Sequence, residues 1–159
     1  MEEIQSRLKR LEAELSALRD SIRTRKVEIM GKSGKVRISL ETDSTGEAIL
    51  KFFDEKGVAR AALSVDANGP ALTLFDKKGN TSANLSADAD VGPGLCLYGN
   101  EGEDGNPCAA LQVLPDVGLS LSLFDVNGNT RATIQVTDED SYLQLADKKG
   151  RVIWQAPPE

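Results

Sequence analysis

The residue types that carry most enzyme chemistry are scarce in this chain. Its 159 residues include no histidine, which removes the commonest general acid–base group and the commonest metal ligand. Acidic residues recur at repeated turn positions, so turn formation explains their spacing. No nucleophile motif and no phosphate-binding loop is present, and we expect no catalytic residue, no cofactor and no enzymatic activity.

One acidic segment has the composition of a cation-binding loop. Residues 98–107 contain Glu101, Glu103 and Asp104, and carboxylate oxygens are the ligands that Ca²⁺ prefers. The Asp-x-Asp-x-Asp-Gly spacing of a calcium loop is missing, however. We therefore predict a solvated hairpin tip here and no metal site.

Two cysteines, Cys96 and Cys108, flank this tip. When the repeat described below is aligned, they replace Thr73 and Ser82, which oppose each other if the hairpin loop has four residues. A cross-strand disulfide is geometrically feasible in that register. Two reduced thiols are the equally weighted alternative, because the sequence does not reveal the redox compartment.

Four aromatic residues occupy one repeated position: Phe53, Phe75, Tyr98 and Phe124. In stacked hairpins they would form a stripe along one edge, on the face opposite the leucines. Such a stripe is a candidate surface for sugar rings or a partner protein. The favoured alternative is that the rings pack against neighbours such as Arg60 and Arg131 on the same face.

These side chains are positioned by a repeat of about 22–23 residues. An anchor residue follows two alternating apolar residues and precedes a glycine by three positions. The anchors are Gly31, Asp54, Asp76, Gly99, Asp125 and Asp147. The alternation predicts strands, and Asp-x-x-Gly predicts the hairpin loops. We predict an antiparallel meander of about eleven strands over residues 27–159, apolar on one face only.

The hydrophobic pattern also predicts a register. If Asp76–Gly79 form a four-residue loop, Leu74 lies opposite Thr81. Four apolar residues of this copy then share one face: Leu72, Leu74, Ala83 and Leu85. The predicted return turns between hairpins include residues 43–46, 66–70 and 138–141.

Residues 1–26 follow a different pattern. Apolar residues alternate at spacings of three and four, which is the heptad seam of a coiled coil: Met1, Ile4, Leu8, Leu11, Leu15, Leu18 and Ile22. In a parallel coiled coil, Arg7 meets Glu12 of the neighbouring helix and Glu14 meets Arg19, so both pairs are opposite in charge. We predict a trimerisation helix. The alternative is an amphipathic helix packed on its own sheet.

Self-association would stabilise both the short helix and the sheet with one apolar face. A helix of three heptads is marginal alone, and a sheet with one apolar face needs a cover. Three chains joined through the helix, with their sheets facing inward as a three-sided β-prism, meet both needs. At ~4.8 Å per strand the shaft would be on the order of 50 Å long. A closed monomeric up-and-down barrel and a propeller are the rival folds.

The segment Arg7-Leu-Lys-Arg-Leu-Glu12 resembles the signature of short trimeric coiled coils. Together with the β-repeat, it makes the chain similar in architecture to bacteriophage tail fibres and related trimeric adhesins. The resemblance implies a non-enzymatic structural protein, a homotrimeric fibre or shaft segment. The alternative function is an adhesin module that binds carbohydrate or protein through the aromatic stripe or the C-terminal tip.

The last repeat copy differs from the others. Trp154 takes a position held by alanine elsewhere, and Pro157 and Pro158 cannot extend a strand ladder, so we predict that this copy caps the shaft.

Charge and hydropathy restrict the partners further. The net charge of −6 argues against nucleic acid and against an anionic membrane as partners. The first residues lack the basic and apolar regions of a signal peptide, and no run has transmembrane length. We expect a cytoplasmic or particle-associated protein.

Overall fold

The computed structural model describes residues 1–20, 24–99, 106–115 and 118–157, and for residues 17–20 it describes the backbone only. One helix, α1 (Glu2–Asp20), precedes twelve strands. The strands are β1 (Lys26–Met30), β2 (Val36–Thr42), β3 (Ala48–Phe53), β4 (Ala59–Val65), β5 (Pro70–Phe75), β6 (Thr81–Asp88), β7 (Gly92–Tyr98), β8 (Pro107–Leu114), β9 (Gly118–Phe124), β10 (Thr130–Val136), β11 (Ser141–Ala146) and β12 (Val152–Ala156). The predicted mainly-β class is confirmed, with one strand more than expected.

All twelve strands form a single sheet in chain order, from β1 to β12. Every neighbouring pair is antiparallel, so the predicted meander is confirmed. β1 and β12 are the outer strands, so this sheet neither closes on itself nor divides into propeller blades. Both rival folds are therefore wrong. Within the described ranges, no helix is long and apolar enough to cross a membrane.

Five of the six hairpin loops have five residues instead of the predicted four. In the third copy, the N–H of Asp76 donates to the carbonyl of Asn80 at 2.8 Å. The Asp76 carboxylate accepts from the N–H groups of Lys78 and Asn80 at 2.7 and 2.9 Å, which holds a fifth residue inside the loop. Gly79 takes the left-handed conformation that the pattern predicted, with φ of 91°.

A bulge follows the loop and corrects the predicted register. Phe75 pairs with Thr81, but Leu74 pairs with Ala83, so Ser82 is an extra residue. Leu74 was predicted to oppose Thr81, two residues away from its actual partner. The same bulge recurs once in each of six hairpins, at Arg37, Arg60, Ser82, Cys108, Arg131 and Ile153. The repeat therefore encodes a loop and a bulge as one unit.

Three of the bulge residues are arginines that connect one hairpin to the next. The Nε of Arg37 donates to the carbonyl of Phe53 at 2.8 Å, and that of Arg60 to the carbonyl of Phe75 at 3.2 Å. Arg131 makes the equivalent bond to Ala146 at 2.9 Å. These bonds satisfy main-chain carbonyls at the strand ends, where the bulge has interrupted the ladder.

The return turns lie at the opposite edge of the sheet and pack closely against each other. Gly69, Gly92 and Gly118 have positive φ, and a Cβ on any of them would clash with a carbonyl oxygen of a neighbouring strand. At Gly92 that oxygen belongs to Val113. Glycine is therefore required here for two reasons, backbone conformation and space.

A pair of glycine variants separates these two reasons. Gly46 has φ of 93° and open space where a Cβ would lie, whereas Gly92 has φ of 88° and the Val113 carbonyl in that space. Gly46→Ala should cost about 1 kcal/mol from left-handed strain alone. Gly92→Ala should cost roughly 2–3 kcal/mol or more, because the backbone must also move. Urea unfolding measures both, and equal losses would contradict the close approach.

Candidate interaction surface

One face of the sheet carries nearly all of the large apolar side chains, and we call it the apolar face. Its central row contains one residue from each strand, and cross-strand pairing joins each member to the next. The row is Val27, Leu40, Leu50, Leu63, Leu72, Leu85, Leu95, Leu111, Leu121, Ile134, Leu143 and Ala156. The predicted sharing of one face by Leu72, Leu74, Ala83 and Leu85 is confirmed.

A second row on the same face alternates large and small residues. It runs Phe52, Ala61, Leu74, Ala83, Leu97, Ala109, Leu123, Ala132, Leu145 and Trp154. Large side chains therefore recur at every second strand, about 9.6 Å apart, with alanine gaps between them. Trp154 breaks this alternation, because it lies beside Leu145 where the pattern would place an alanine.

The apolar face is not covered by any other part of the described chain. The exposed residues of the central row have between 37% (Leu95) and 52% (Leu85) of their surface accessible. The accessible surface of the chain is 12228 Å², whereas a compact monomer of 17.1 kDa has about 7,800 Å². Among described residues, the only buried apolar ones are Ala62 and Ala110. This sheet has no hydrophobic core of its own.

The helix does not provide the missing cover. No strand contacts α1 within the described residues, so the alternative of a helix packed on its own sheet is wrong. The apolar seam of α1 is exposed, at 70% for Ile4 and 67% for Leu15, and Leu8 and Leu11 are also exposed. Of the remaining predicted seam positions, the Leu18 side chain and all of Ile22 lie outside the described residues.

The ion pair seen in α1 joins residues of the same helix. Glu14 accepts from Arg10 at 3.1 Å, one turn earlier in the same helix. The predicted pairs between Arg7 and Glu12, and between Glu14 and Arg19, join different chains and stay predictions.

The aromatic stripe lies on the opposite, polar face. Phe53, Phe75, Tyr98 and Phe124 end alternate strands at the hairpin-loop edge, and each is only partly exposed. Arginines of the intervening strands bond the carbonyls of Phe53 and Phe75. Burial is the largest cause that raises the pKa of the Tyr98 hydroxyl, and neighbouring Cys96 adds to it. The half-buried rings agree better with packing than with an open ligand platform.

The corrected register also changes the geometry of the two cysteines. Cys96 pairs with Ala110, and Cys108 is the bulge residue of its hairpin, so they do not oppose each other. The equivalent of Cys96 in the previous hairpin, Thr73, faces Asn84 and accepts its amide at 3.0 Å. Both thiols are free. The argument for a cross-strand disulfide depended on the four-residue loop and no longer holds.

The acidic hairpin tip falls largely outside the described residues, which include neither Glu101, Glu103 nor Asp104. Elsewhere in the described ranges, no group of three or more acidic or cysteine side chains is arranged to hold a metal ion.

The anchor carboxylates serve the loops. The N–H groups of Val58 and Lys56 donate to Asp54 at 3.0 and 2.8 Å. The bond from Val58 is the largest cause that lowers the pKa of Asp54; Lys56 and Arg60 add to the effect, and partial burial opposes it. The pKa is also lowered at the other three anchor carboxyls, Asp76, Asp125 and Asp147, and at Asp43 in a return turn.

Comparison with known proteins adds no functional information. No family model and no curated protein sequence matches the chain. A solved structure of a mutant S. aureus TarM in complex with fondaparinux, α-GlcNAc-glycerol and UDP is similar, with a TM-score of 0.41 and 12% identity. The match covers 84% of this chain and 23% of that one, so the chain spans about a quarter of the length of that protein.

The anchor carboxyls predict a specific acid sensitivity. In the unfolded chain the pKa of Asp54 takes its ordinary value of 3.8, and folding lowers it. The ionised carboxylate therefore stabilises the fold above pH 3.8, and this contribution is lost as the pH falls through the lowered value. Asp54→Asn cannot ionise, so its urea midpoint should fall less between about pH 5 and pH 2 than that of the wild type. If the urea midpoints of the two proteins fall equally with pH, the Asp54 carboxylate does not stabilise the loop in this way.

Proposed function

We propose that this protein is a non-enzymatic structural protein that self-associates as a parallel homotrimer, forming a fibre or shaft segment. The observation that carries the proposal is the uncovered apolar face, which extends over all twelve strands. Fully burying a leucine contributes about 1.5–3 kcal/mol, so the continuous row provides a large driving force for association. A sheet of this kind needs a second layer, and further copies of the same chain supply it.

The helix would set the number of chains in the assembly and their parallel orientation. Its exposed seam has the heptad spacing of a coiled coil, and the charges beside it favour parallel neighbours. Six residues from Arg7 to Glu12 resemble the signature of trimeric coiled coils, as in bacteriophage tail fibres and trimeric adhesins. Three inward-facing sheets around the axis of the coiled coil would form the β-prism. No described site favours catalysis, and the half-buried aromatic stripe gives little support to glycan binding.

The coiled-coil seam is tested by a double variant. Leu11→Asp with Leu18→Asp places charges at two seam positions and should convert trimers to monomers, as measured by light scattering coupled to size exclusion. Ser6→Asp with Ser16→Asp is the matched control, since it adds the same charge at positions away from the seam. The control should retain the trimer mass. A seam variant with the mass of the wild type would contradict the proposal.

Trp154 gives an independent measure of assembly. It is the only tryptophan of the chain, lies on the apolar face and is 50% exposed in a single chain. In the trimer we expect it to be buried as the terminal cap, so iodide should quench its fluorescence weakly. In the seam variant the emission should shift to the red and quenching should increase. If iodide quenches the assembled wild type as strongly as the seam variant, Trp154 is not a buried cap.

A further inference from the structure

The two loop-bearing edges of the sheet differ strongly in charge. Because the meander alternates, all hairpin loops lie at one edge and all return turns at the other. We call these the loop edge and the return edge. The described loops are 31–35, 54–58, 76–80, 125–129 and 147–151. The described return turns are 43–47, 66–69, 88–92 and 137–140.

The described return turns are acidic. Its described turns contain eight carboxylates and neither lysine nor arginine: Asp43, Glu47, Asp66, Asp88, Asp90, Asp138, Glu139 and Asp140. Six of these side chains are exposed, and Glu47 and Asp88 are partly exposed. None of the eight makes an ion pair within the described part of the chain. These turns therefore carry only negative charge, and the cations at the same edge are Arg25 and Lys26 at the start of β1.

The described loops of the loop edge contain more cations than carboxylates. Its described loops carry eight exposed cations: Lys32, Lys35, Lys56, Lys77, Lys78, Lys148, Lys149 and Arg151. Of the five carboxylates in these loops, three form ion pairs, Asp54 with Arg60, Asp125 with Arg131 and Asp147 with Arg151, and Glu55 is the exposed one. Residues 100–105 lie outside the described residues, and their sequence adds Glu101, Glu103 and Asp104 between β7 and β8.

The acidic turns and the basic loops also lie at similar positions along the direction from β1 to β12. Each return turn lies one strand, about 4.8 Å, from the loops before and after it. The most acidic turn, 137–140, precedes the strongly basic loop 147–151. At the other end, Asp43 and Glu47 follow the loop that carries Lys32 and Lys35. Parallel copies at equal height would therefore bring the strongest opposite charges to nearly the same level.

We propose that the acidic return edge of one copy docks against the basic loop edge of a second copy. The inference rests on the proposed self-association and specifies its lateral contacts. Consider parallel copies related by rotation about an axis that runs from β1 toward β12, perpendicular to the strands. In such a ring the loop edge of each copy lies next to the return edge of its neighbour. Antiparallel copies with facing sheets would bring like edges together instead. The charged edges thus select parallel assembly, while burial of the apolar face favours association without selecting its direction.

Charge reversal at each edge tests the docking. The return-edge variant is Asp138→Lys with Glu139→Lys, and the loop-edge variant is Lys148→Glu with Lys149→Glu. The four side chains make no hydrogen bond or ion pair within the described chain, so each variant should fold. Each should weaken trimer formation about tenfold at low salt, measured by sedimentation equilibrium. The chain carrying all four changes should recover most of the loss, because its turn 137–140 and its loop 147–151 are again opposite in charge.

Net charge alone predicts a different outcome. The return-edge variant reduces the net charge from −6 to −2, since two acids become two bases, so weaker overall repulsion would tighten its assembly. Edge docking requires it to weaken. In about 1 M salt, where the Debye length is ~3 Å, all four proteins should associate alike.

The outcomes separate the two proposals. A wild-type trimer whose single-edge variants assemble as tightly as the wild type, or whose four-residue variant shows no recovery, overturns edge docking and leaves the trimer intact. A wild type that stays monomeric at every concentration overturns both. Circular dichroism of each variant checks that the β-structure is retained.

Discussion

A single β-sheet cannot cover both of its faces, and this constraint governs the rest of the structure. Alternating side chains place the leucines of every strand on one face, where the described chain offers nothing to bury them. The only buried apolar residues described, Ala62 and Ala110, lie on the other, polar face. The sheet is therefore held locally by its ladders, turns and bulges, and in the assembly that we propose other copies of the chain would bury its apolar face.

The repeat provides that local stability with one compact device. The anchor carboxylate binds two loop N–H groups, glycine supplies the left-handed residue, and the bulge adjusts the register. Arginines at three bulges then bond the carbonyl that ends the next strand. Three of the five junctions between successive hairpins are reinforced in this way, which helps a sheet without a second layer in the described chain to extend over twelve strands.

Hydrophobic and electrostatic features of the sheet have separate roles in the assembly that we propose. The apolar face is nearly uniform along the stack, so it favours burial without strongly selecting an orientation. The charged edges are directional, because rotation of parallel copies joins unlike edges and reversal joins like ones. The helix, with its own seam and flanking charges, would favour the same parallel arrangement from the end of the shaft.

The sequence alone determined the strands, the meander and the sharing of the apolar face, because period-two alternation and Asp-x-x-Gly turns are local signals. It misplaced Leu74 opposite Thr81 and so brought Cys96 and Cys108 together. A shift of two residues leaves every side chain on its original face, and the hydrophobic pattern therefore cannot detect it. Only the tertiary structure revealed the five-residue loops, the bulges and the bonds from the bulge arginines to the next hairpin. Each depends on which residues pairing brings side by side, a relation between segments that no single segment encodes.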